Sequence, residues 1–301
     1  MKLPHLLPER IEALLAPDGL HLRRDGGCEF FASAPDSAGD AWRAPLLALD
    51  RALCARPPRM APGAGRLPAV LAKRFAPRLD IVLSEHFTRW QLLPWQAEVD
   101  TPAEQDAYAQ HTFREVYGEI ARHWRVRCTG QAPGAAVPAC AIDDELVAAL
   151  RAVAAAHGCR LGSLRPLFAA AADRWRHKLP RGIAWFGVLE RGRLILGLLR
   201  DRRWQALHGE SVAAPEDCGE LLAGLIARSA IFAGIVPAAG RLLLCGEGAD
   251  TCAVPLTTKT VQRLGSALAW NTAARAGRSL GINDARIEGQ DNATRAGRPV
   301  A

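Results

Sequence analysis

Residues 183–208 read IAWFGVLERGRLILGLLRDRRWQALH, and the fold turns on how this stretch is parsed. Three segments, Ile183 to Leu189, Arg193 to Leu199 and Arg203 to His208, are separated by two short polar turns, Glu190-Arg191-Gly192 and Asp201-Arg202. Each segment is too short for a stable helix, and the turns between them are too short for anything but antiparallel neighbours. The spacing therefore predicts a three-stranded meander. Just upstream, Leu179-Pro180-Arg181-Gly182 is a break, so the pattern of the chain restarts near Pro180. Downstream, Pro215 begins a predicted helix with Leu221, Leu222, Leu225 and Ile226 on one face. Arg241 to Cys245 reads as an apolar strand entering Gly246-Glu247-Gly248-Ala249-Asp250, and Thr257 to Trp270 reads as a last helix. From about Gly281 the chain is polar and rich in Gly and Arg, which predicts a disordered tail.

Ahead of the break, elements alternate in the same manner. Ile11–Leu15 and Leu20–Arg24 flank the turn Ala16-Pro17-Asp18-Gly19, and Cys28–Ala34 follows as a third strand. Trp42, Pro45, Leu46, Leu49 and Leu53 predict a helix with Asp40 as its cap, and Pro57–Pro68 a loop. Leu79–Ser84 and Thr88–Leu93 read as a strand pair. Thr101, Pro102 and Glu104 spell a capping box ahead of an apolar stripe of Phe113, Val116, Tyr117, Ile120 and Trp124. Trp124–Thr129 and Val137–Ile142 read as strands. Asp143 caps a helix that carries Leu146, Val147, Leu150 and Val153 and stops at Gly158. Leu161–Leu164 is extended, and Pro166 starts a helix to about Lys178. The order of elements predicts an α/β protein of two lobes, residues 1–180 and 181–280, with a tail over 281–301.

Composition narrows the class. Half of the residues are apolar (49%), enough for a buried core. The longest apolar runs, such as Leu194–Leu199, fall far short of the roughly 18 residues a membrane span needs. The first ten residues lack the pattern of a secretory leader. Eight cysteines, Cys28, Cys54, Cys128, Cys140, Cys159, Cys218, Cys245 and Cys252, form no C-x-x-C pair. They read as free thiols of a reducing, cytoplasmic compartment, without the closely spaced ligand pairs of a zinc site. Net charge is +7. Nine Lys or Arg against two acids between Arg174 and Arg203 give this one segment an excess as large as that of the whole chain.

The stretch Leu92-Leu93-Pro94-Trp95, the helix with Glu104 and Tyr108, the strand Val137–Ile142, the helix to His157-Gly158 and then Leu161–Pro166 resemble the cytoplasmic actin-like proteins of bacterial type IV pilus and type II secretion platforms, PilM and cytoplasmic GspL among them. The resemblance extends over about residues 9–270. It implies the two-lobed fold of actin, hexokinase and the heat-shock chaperones, with mixed sheets around a nucleotide cleft. It also implies a scaffold that binds the cytosolic segment of an inner-membrane platform protein, a piece that the pilus relative holds in a groove of its first lobe. The site is then cytoplasmic, with peripheral attachment at the inner membrane and a homodimer left open.

Such a fold holds metal and phosphates on two acid-x-glycine turns and adenosine on a glycine-rich turn. In the first lobe the turn has Asp18 and Gly19 adjacent instead of spaced, followed by bulky Leu20, His21 and Leu22. In the second, Glu190 and Gly192 keep the spacing but stand beside Arg191 and Arg193, and Gly246 and Gly248 remain on the adenosine side. The expectation is a pseudo-ATPase with degenerate nucleotide motifs, no catalytic residue, no metal and no cofactor. The alternative is an ATP-binding protein or ATP-dependent kinase with Glu190 on magnesium, for which the first lobe offers no convincing base.

Other motifs have plainer readings. Ser84-Glu85-His86 are neighbours that cannot relay a proton among themselves and read as a strand-end turn. Asp143-Asp144-Glu145 complement a helix dipole, and His111 and His123 sit at surface positions. Arg191, Arg193, Arg200, Arg202, Arg203 and Trp204 are candidates for a partner or anionic surface; a nucleic-acid-binding protein acting through the basic segment 174–203 is the second alternative, though no nucleic-acid signature accompanies it.

Overall fold

The computed structural model describes residues 8–33, 41–60, 68, 75–99, 101–128, 133–213, 217–254 and 260–268. The expected tail over 281–301, the cap Asp40 and the helix start Pro215 lie outside the described residues.

Two five-stranded mixed sheets and a small third sheet carry the architecture. The chain opens with β1 (Arg10–Ala16), β2 (Gly19–Arg24) and β3 (Gly27–Ala32), each antiparallel to the last. Helix α1 (Arg43–Ala55) crosses over to β4 (Arg78–Leu83), which pairs parallel to β1. After an excursion the chain returns as β8 (Arg160–Pro166), parallel to β4. The first sheet thus has the order β3-β2-β1-β4-β8.

The excursion is the small sheet. It holds β5 (Thr88–Leu93), β6 (Trp124–Cys128) and β7 (Val137–Asp143) in the order β5-β7-β6, all antiparallel. Helix α2 (Pro102–Tyr117) covers it through Ala109 and Phe113, and begins in the expected capping box between Thr101 and Glu104. Helix α3 (Asp144–Ala156) follows β7. Its cap Asp143 accepts from the Glu145 N–H at 2.8 Å, and Asp144 and Glu145 pair with Arg125 and Arg43, so the acidic run serves the helix start.

Period-two alternation assigns the faces of the first sheet. Ile11, Ala13 and Leu15 of β1 meet Leu49 and Leu53 of α1 and Leu146 and Leu150 of α3. Leu14, between them, points the other way, into a core built on helix α4 (Leu167–Trp175).

The second sheet is the predicted meander plus two strands. Strands β9 (Ile183–Glu190), β10 (Arg193–Arg200) and β11 (Arg203–Ser211) run antiparallel, and β12 (Arg241–Gly246) pairs parallel to β9. Both faces of β9 and β10 are covered, which accounts for their unbroken apolar runs. Trp185, Leu196 and Leu242 face helix α5 (Cys218–Phe232), while Phe186, Ile195 and Leu243 face α4. Helix α4 is therefore shared: its Phe168 meets Trp90, Phe186 and Trp204 at ring separations of 5.4, 5.6 and 5.3 Å.

Three expectations are corrected. Residues 79–84 and 88–93 do not pair with each other; a single turn of 3-10 helix at Glu85–Phe87 passes the chain from the first sheet to the small one. Val116 and Ile120 are 63% and 59% exposed: Val116 lies off the α2 face that carries Ala109, Phe113 and Tyr117, and Ile120 follows Gly118 (φ 71°), which takes the chain off the helical path. The described part of the last predicted helix opens as a strand, β13 (Thr260–Arg263), parallel to β12, and continues without helix to residue 268. Val261, Leu264 and Leu268 fall at helical spacing by coincidence: Gly265 (φ 78°) breaks the path, and its carbonyl accepts from Gly246 N–H at 2.8 Å.

Candidate functional site

The carboxyl ends of β1 and β9 meet across a cleft of about 620 Å³, a size suited to a small molecule. Asp18, Glu190, Arg191 and Gly246 all line it. The first-lobe and second-lobe turns and the start of the adenosine-side turn are therefore brought together. Gly19, Gly192 and Gly248 stand next to these lining residues in the same turns.

The first turn is a tight two-residue hairpin, with Ala16 paired to Gly19 across Pro17-Asp18. Gly19 (φ 153°) is required by the neighbouring strand: a Cβ there would come within 2.3 Å of the Phe31 carbonyl oxygen. Gly246 (φ 103°) is required in the same way by β9, since a Cβ would lie 2.1 Å from the Leu189 carbonyl oxygen. Both glycines thus have a sufficient cause in strand packing, with no ligand needed to explain them.

Glu190 behaves unlike a metal-holding acid. Its carboxyl reaches the first lobe, where Oε2 accepts from the Glu85 N–H at 2.6 Å and from Ser84 Oγ at 3.1 Å. The next peptide repeats the contact: His86 Nε2 donates to the Arg191 carbonyl oxygen at 2.9 Å. Gly192 is required by its φ of 79° and not by space, since a Cβ there would stand in ordinary contact, 3.5 Å from the imidazole. The β9–β10 turn is therefore clasped by residues 84–86, the strand-end turn that joins two sheets of the first lobe.

Below the clasp lies a second buried carboxyl. Glu85 accepts from Thr88 Oγ1 and Trp90 Nε1 at 2.6 Å each, and from the Phe168 N–H at 2.5 Å. Pro166, the N-cap of α4, has no side-chain donor or acceptor to offer. Glu85 supplies the acceptor that the buried helix start needs. Burial pushes both acids up, Glu190 to about 8, with the Glu85 charge and then Asp18 adding to the effect on Glu190. At Glu85 the three donors oppose the effect of burial without cancelling it, and Glu190, raised to about 8, keeps its proton at neutral pH. His86 is held below its ordinary value by burial.

The basic segment is not one surface. Arg191 and Arg193 stand at the cleft end of β10, and Arg200, Arg202 and Arg203 at the other, about 23 Å away at roughly 3.3 Å per strand residue. Trp204 is half-buried: strand alternation turns it away from Arg203 and over Gly197 onto Phe168, against the core shared by the lobes. The distal arginines have different company. The Arg200 guanidinium donates to the Ala233 carbonyl at 3.3 Å, which sets the β10–β11 hairpin beside the end of α5. There Ile231, Phe232 and Val236 are 75%, 89% and 67% exposed.

The sequence did not distinguish the clasp from an ordinary turn. The only signal was a Ser-Glu-His run at the end of an apolar strand, and nothing local ties Ser84 to Glu190, 106 residues on.

No family model matches the sequence, and no curated protein matches it either. Solved structures do. A chain of the PilM–PilN type IV pilus biogenesis complex is similar at 14% identity, over 85% of this chain and 88% of that one, with a TM-score of 0.58. A protein of Bacteroides thetaiotaomicron with an actin-like ATPase fold and unknown function is similar at 9% identity, over 88% and 93%, with a TM-score of 0.54. The cytoplasmic domain of EpsL, an inner-membrane component of the type II secretion system of Vibrio cholerae, aligns at 10% identity over 78% and 81%, with a TM-score of 0.44, too low to add to the argument. With its two mixed sheets, shared helix and interlobe cleft, the chain has the actin-like fold.

Proposed function

We propose that this protein is a non-catalytic component of an inner-membrane platform of the type IV pilus or type II secretion kind, facing the cytosol and holding the cytosolic segment of a membrane partner. The fold it shares with a chain of the PilM–PilN complex supports the setting. The observation that carries the reading is the clasp. Glu190, the acid that would hold magnesium in an ATPase of this fold, is a neutral acid engaged with Ser84 and Glu85. Binding a metal there requires losing both the proton and the contact between lobes. The cleft lining brings Asp18 and Glu247 toward a polyphosphate, with Arg191 as its one permanent cation among the described residues. A triphosphate would then depend on a metal held by Asp18 and Glu247 alone, with Glu190 withdrawn into the clasp and one arginine to meet its charge, which disfavours a magnesium–triphosphate in this cleft.

The outer end of the second lobe supports a seat at the membrane. Arginines beside protruding Ile231, Phe232 and Val236 form a combination that settles on an anionic surface while the apolar side chains enter it. Among the described residues no helix is long and apolar enough to cross a membrane.

Sedimentation with vesicles tests both parts. The chain is expected to pellet with inner-membrane vesicles that carry pilus or secretion platform proteins, and more weakly with protein-free anionic vesicles. Phe232→Asp is expected to abolish the weaker binding and to leave the melting temperature unchanged, since Phe232 packs on nothing that its loss would expose. Failure to pellet with platform-bearing vesicles contradicts the function; equal pelleting of Phe232→Asp with protein-free vesicles contradicts the membrane seat.

A further inference from the structure

On the outer face of the first lobe, away from the cleft, three side chains of different chemistry converge. Asp50 and Cys54 lie one turn apart on α1 and so project from one face. His157 comes from the C-cap of α3, where its own N–H is fixed on the Val153 carbonyl at 3.2 Å and Gly158 (φ 64°) ends the helix. The His157 Nε2 to Asp50 Oδ1 separation is 2.8 Å. One potential ligand atom from each of the three residues lies within 4.8 Å of the other two. The Arg43–Glu145 ion pair ties the N-terminal turns of the same two helices, so α1 and α3 run side by side and the cluster sits at their far ends.

The Asp50–His157 contact by itself is what a helix-to-helix pin looks like. It does not account for Cys54, which alone of the eight cysteines is exposed and completes the triangle.

We propose that Asp50, Cys54 and His157 bind a late first-row divalent cation, zinc by chemical preference, with water in the fourth position. A carboxylate oxygen, a thiolate sulfur and an imidazole nitrogen form a donor set for zinc and not for magnesium or calcium, which take oxygen. Ligand atoms around tetrahedral zinc stand about 3.2–3.8 Å apart, given metal–ligand lengths of about 2.0–2.3 Å. Rotation of the exposed Cys54 inward by about 1 Å, with the Asp50–His157 pair opening from 2.8 Å by about 0.5 Å, meets that geometry. On binding, the ion takes the place of the proton between Asp50 and Nε2, the neutral ring carries its one N–H on Nδ1 instead, and the thiol proton passes to solvent as Cys54 coordinates through its thiolate. The ion would clip α1 to α3 at the end opposite the Arg43–Glu145 pair.

Cobalt(II) is the probe. Titrated into the reduced full chain, it is expected to give a thiolate-to-cobalt charge-transfer band that saturates at one ion per chain and is bleached by zinc. Cys54→Ser is expected to lose the band and to bind zinc about tenfold or more weakly, with unchanged circular dichroism and melting temperature because the side chain is exposed. Asp50→Asn is expected to weaken both metals in the same direction. Absence of the band in the parent overturns the proposal. So does its persistence in Cys54→Ser, which would assign the ion to another of the thiols. These outcomes do not depend on the platform function or on the cleft.

Discussion

Replacing Glu85 by alanine is expected to destabilise the protein by about 3–5 kcal/mol, the range for removing one partner from a fully buried charged network. The substitution leaves Trp90 Nε1, Thr88 Oγ1 and the Phe168 N–H without their acceptor, and opens a cavity beside the α4 start. It also loosens the turn whose backbone N–H holds Glu190. Three units that share no sheet hydrogen bonds meet at this one residue, the small sheet and helix α4 at its carboxyl and the second-lobe turn at its backbone N–H. Urea denaturation followed by tryptophan fluorescence is the measurement, since Trp90 reports directly on the site. A loss below about 1 kcal/mol, the size of an ordinary surface change, would mean that another group starts α4.

Glu190→Gln is expected to do the reverse above neutral pH. In the unfolded chain this acid ionises near its ordinary value of 4.5, and in the folded protein it holds its proton to about 8. Between those values the folded state binds the extra proton, so stability falls as pH rises, by up to about 1.4 kcal/mol per pH unit, and is level above the folded value. Glutamine keeps an oxygen for Ser84 Oγ and the Glu85 N–H and carries no titrating proton. At pH 8 and above the variant is expected to exceed the parent by about 2 kcal/mol or more, with the gap closing toward pH 5. His86, held below its ordinary value by burial, is present in both proteins, so the difference between the two denaturation series isolates the carboxyl. A gap that stays constant with pH would place the charge elsewhere.

The pattern of the sequence exposed some parts of this architecture and hid others, for reasons that particular residues make clear. The meander over 183–208 was legible because its strands are covered on both faces and its turns carry Gly192 and Asp201-Arg202, where φ is positive. The start of α2 was legible because a capping box is entirely local. The partners of residues 79–84 and 88–93 were not legible, because an antiparallel pair and a hand-over between sheets both need two apolar strands and a short turn. What separates them is Glu85, whose partners include Phe168, 83 residues away. The segment around β13 misled for a related reason: apolar positions three or four apart fit a helix, and only its pairing with β12 makes it a strand.

The site divides in the same manner. The cleft turns could be located at Asp18, Glu190 and Gly246 from short glycine motifs. The direction in which Glu190 points could not, because it depends on Ser84 and Glu85 coming from the other lobe. Charge counts along the chain likewise suggested one basic surface between Arg174 and Arg203, while a strand of eight residues puts its two ends on different parts of the molecule.

Isothermal titration of the full chain with Mg-ATP at neutral pH tests most directly whether the clasp has closed the cleft to a metal-bound triphosphate. The expected result is the heat of dilution alone, with the melting temperature unmoved by a large excess of nucleotide. Saturable binding at one nucleotide per chain, lost in Glu190→Gln, would contradict the account.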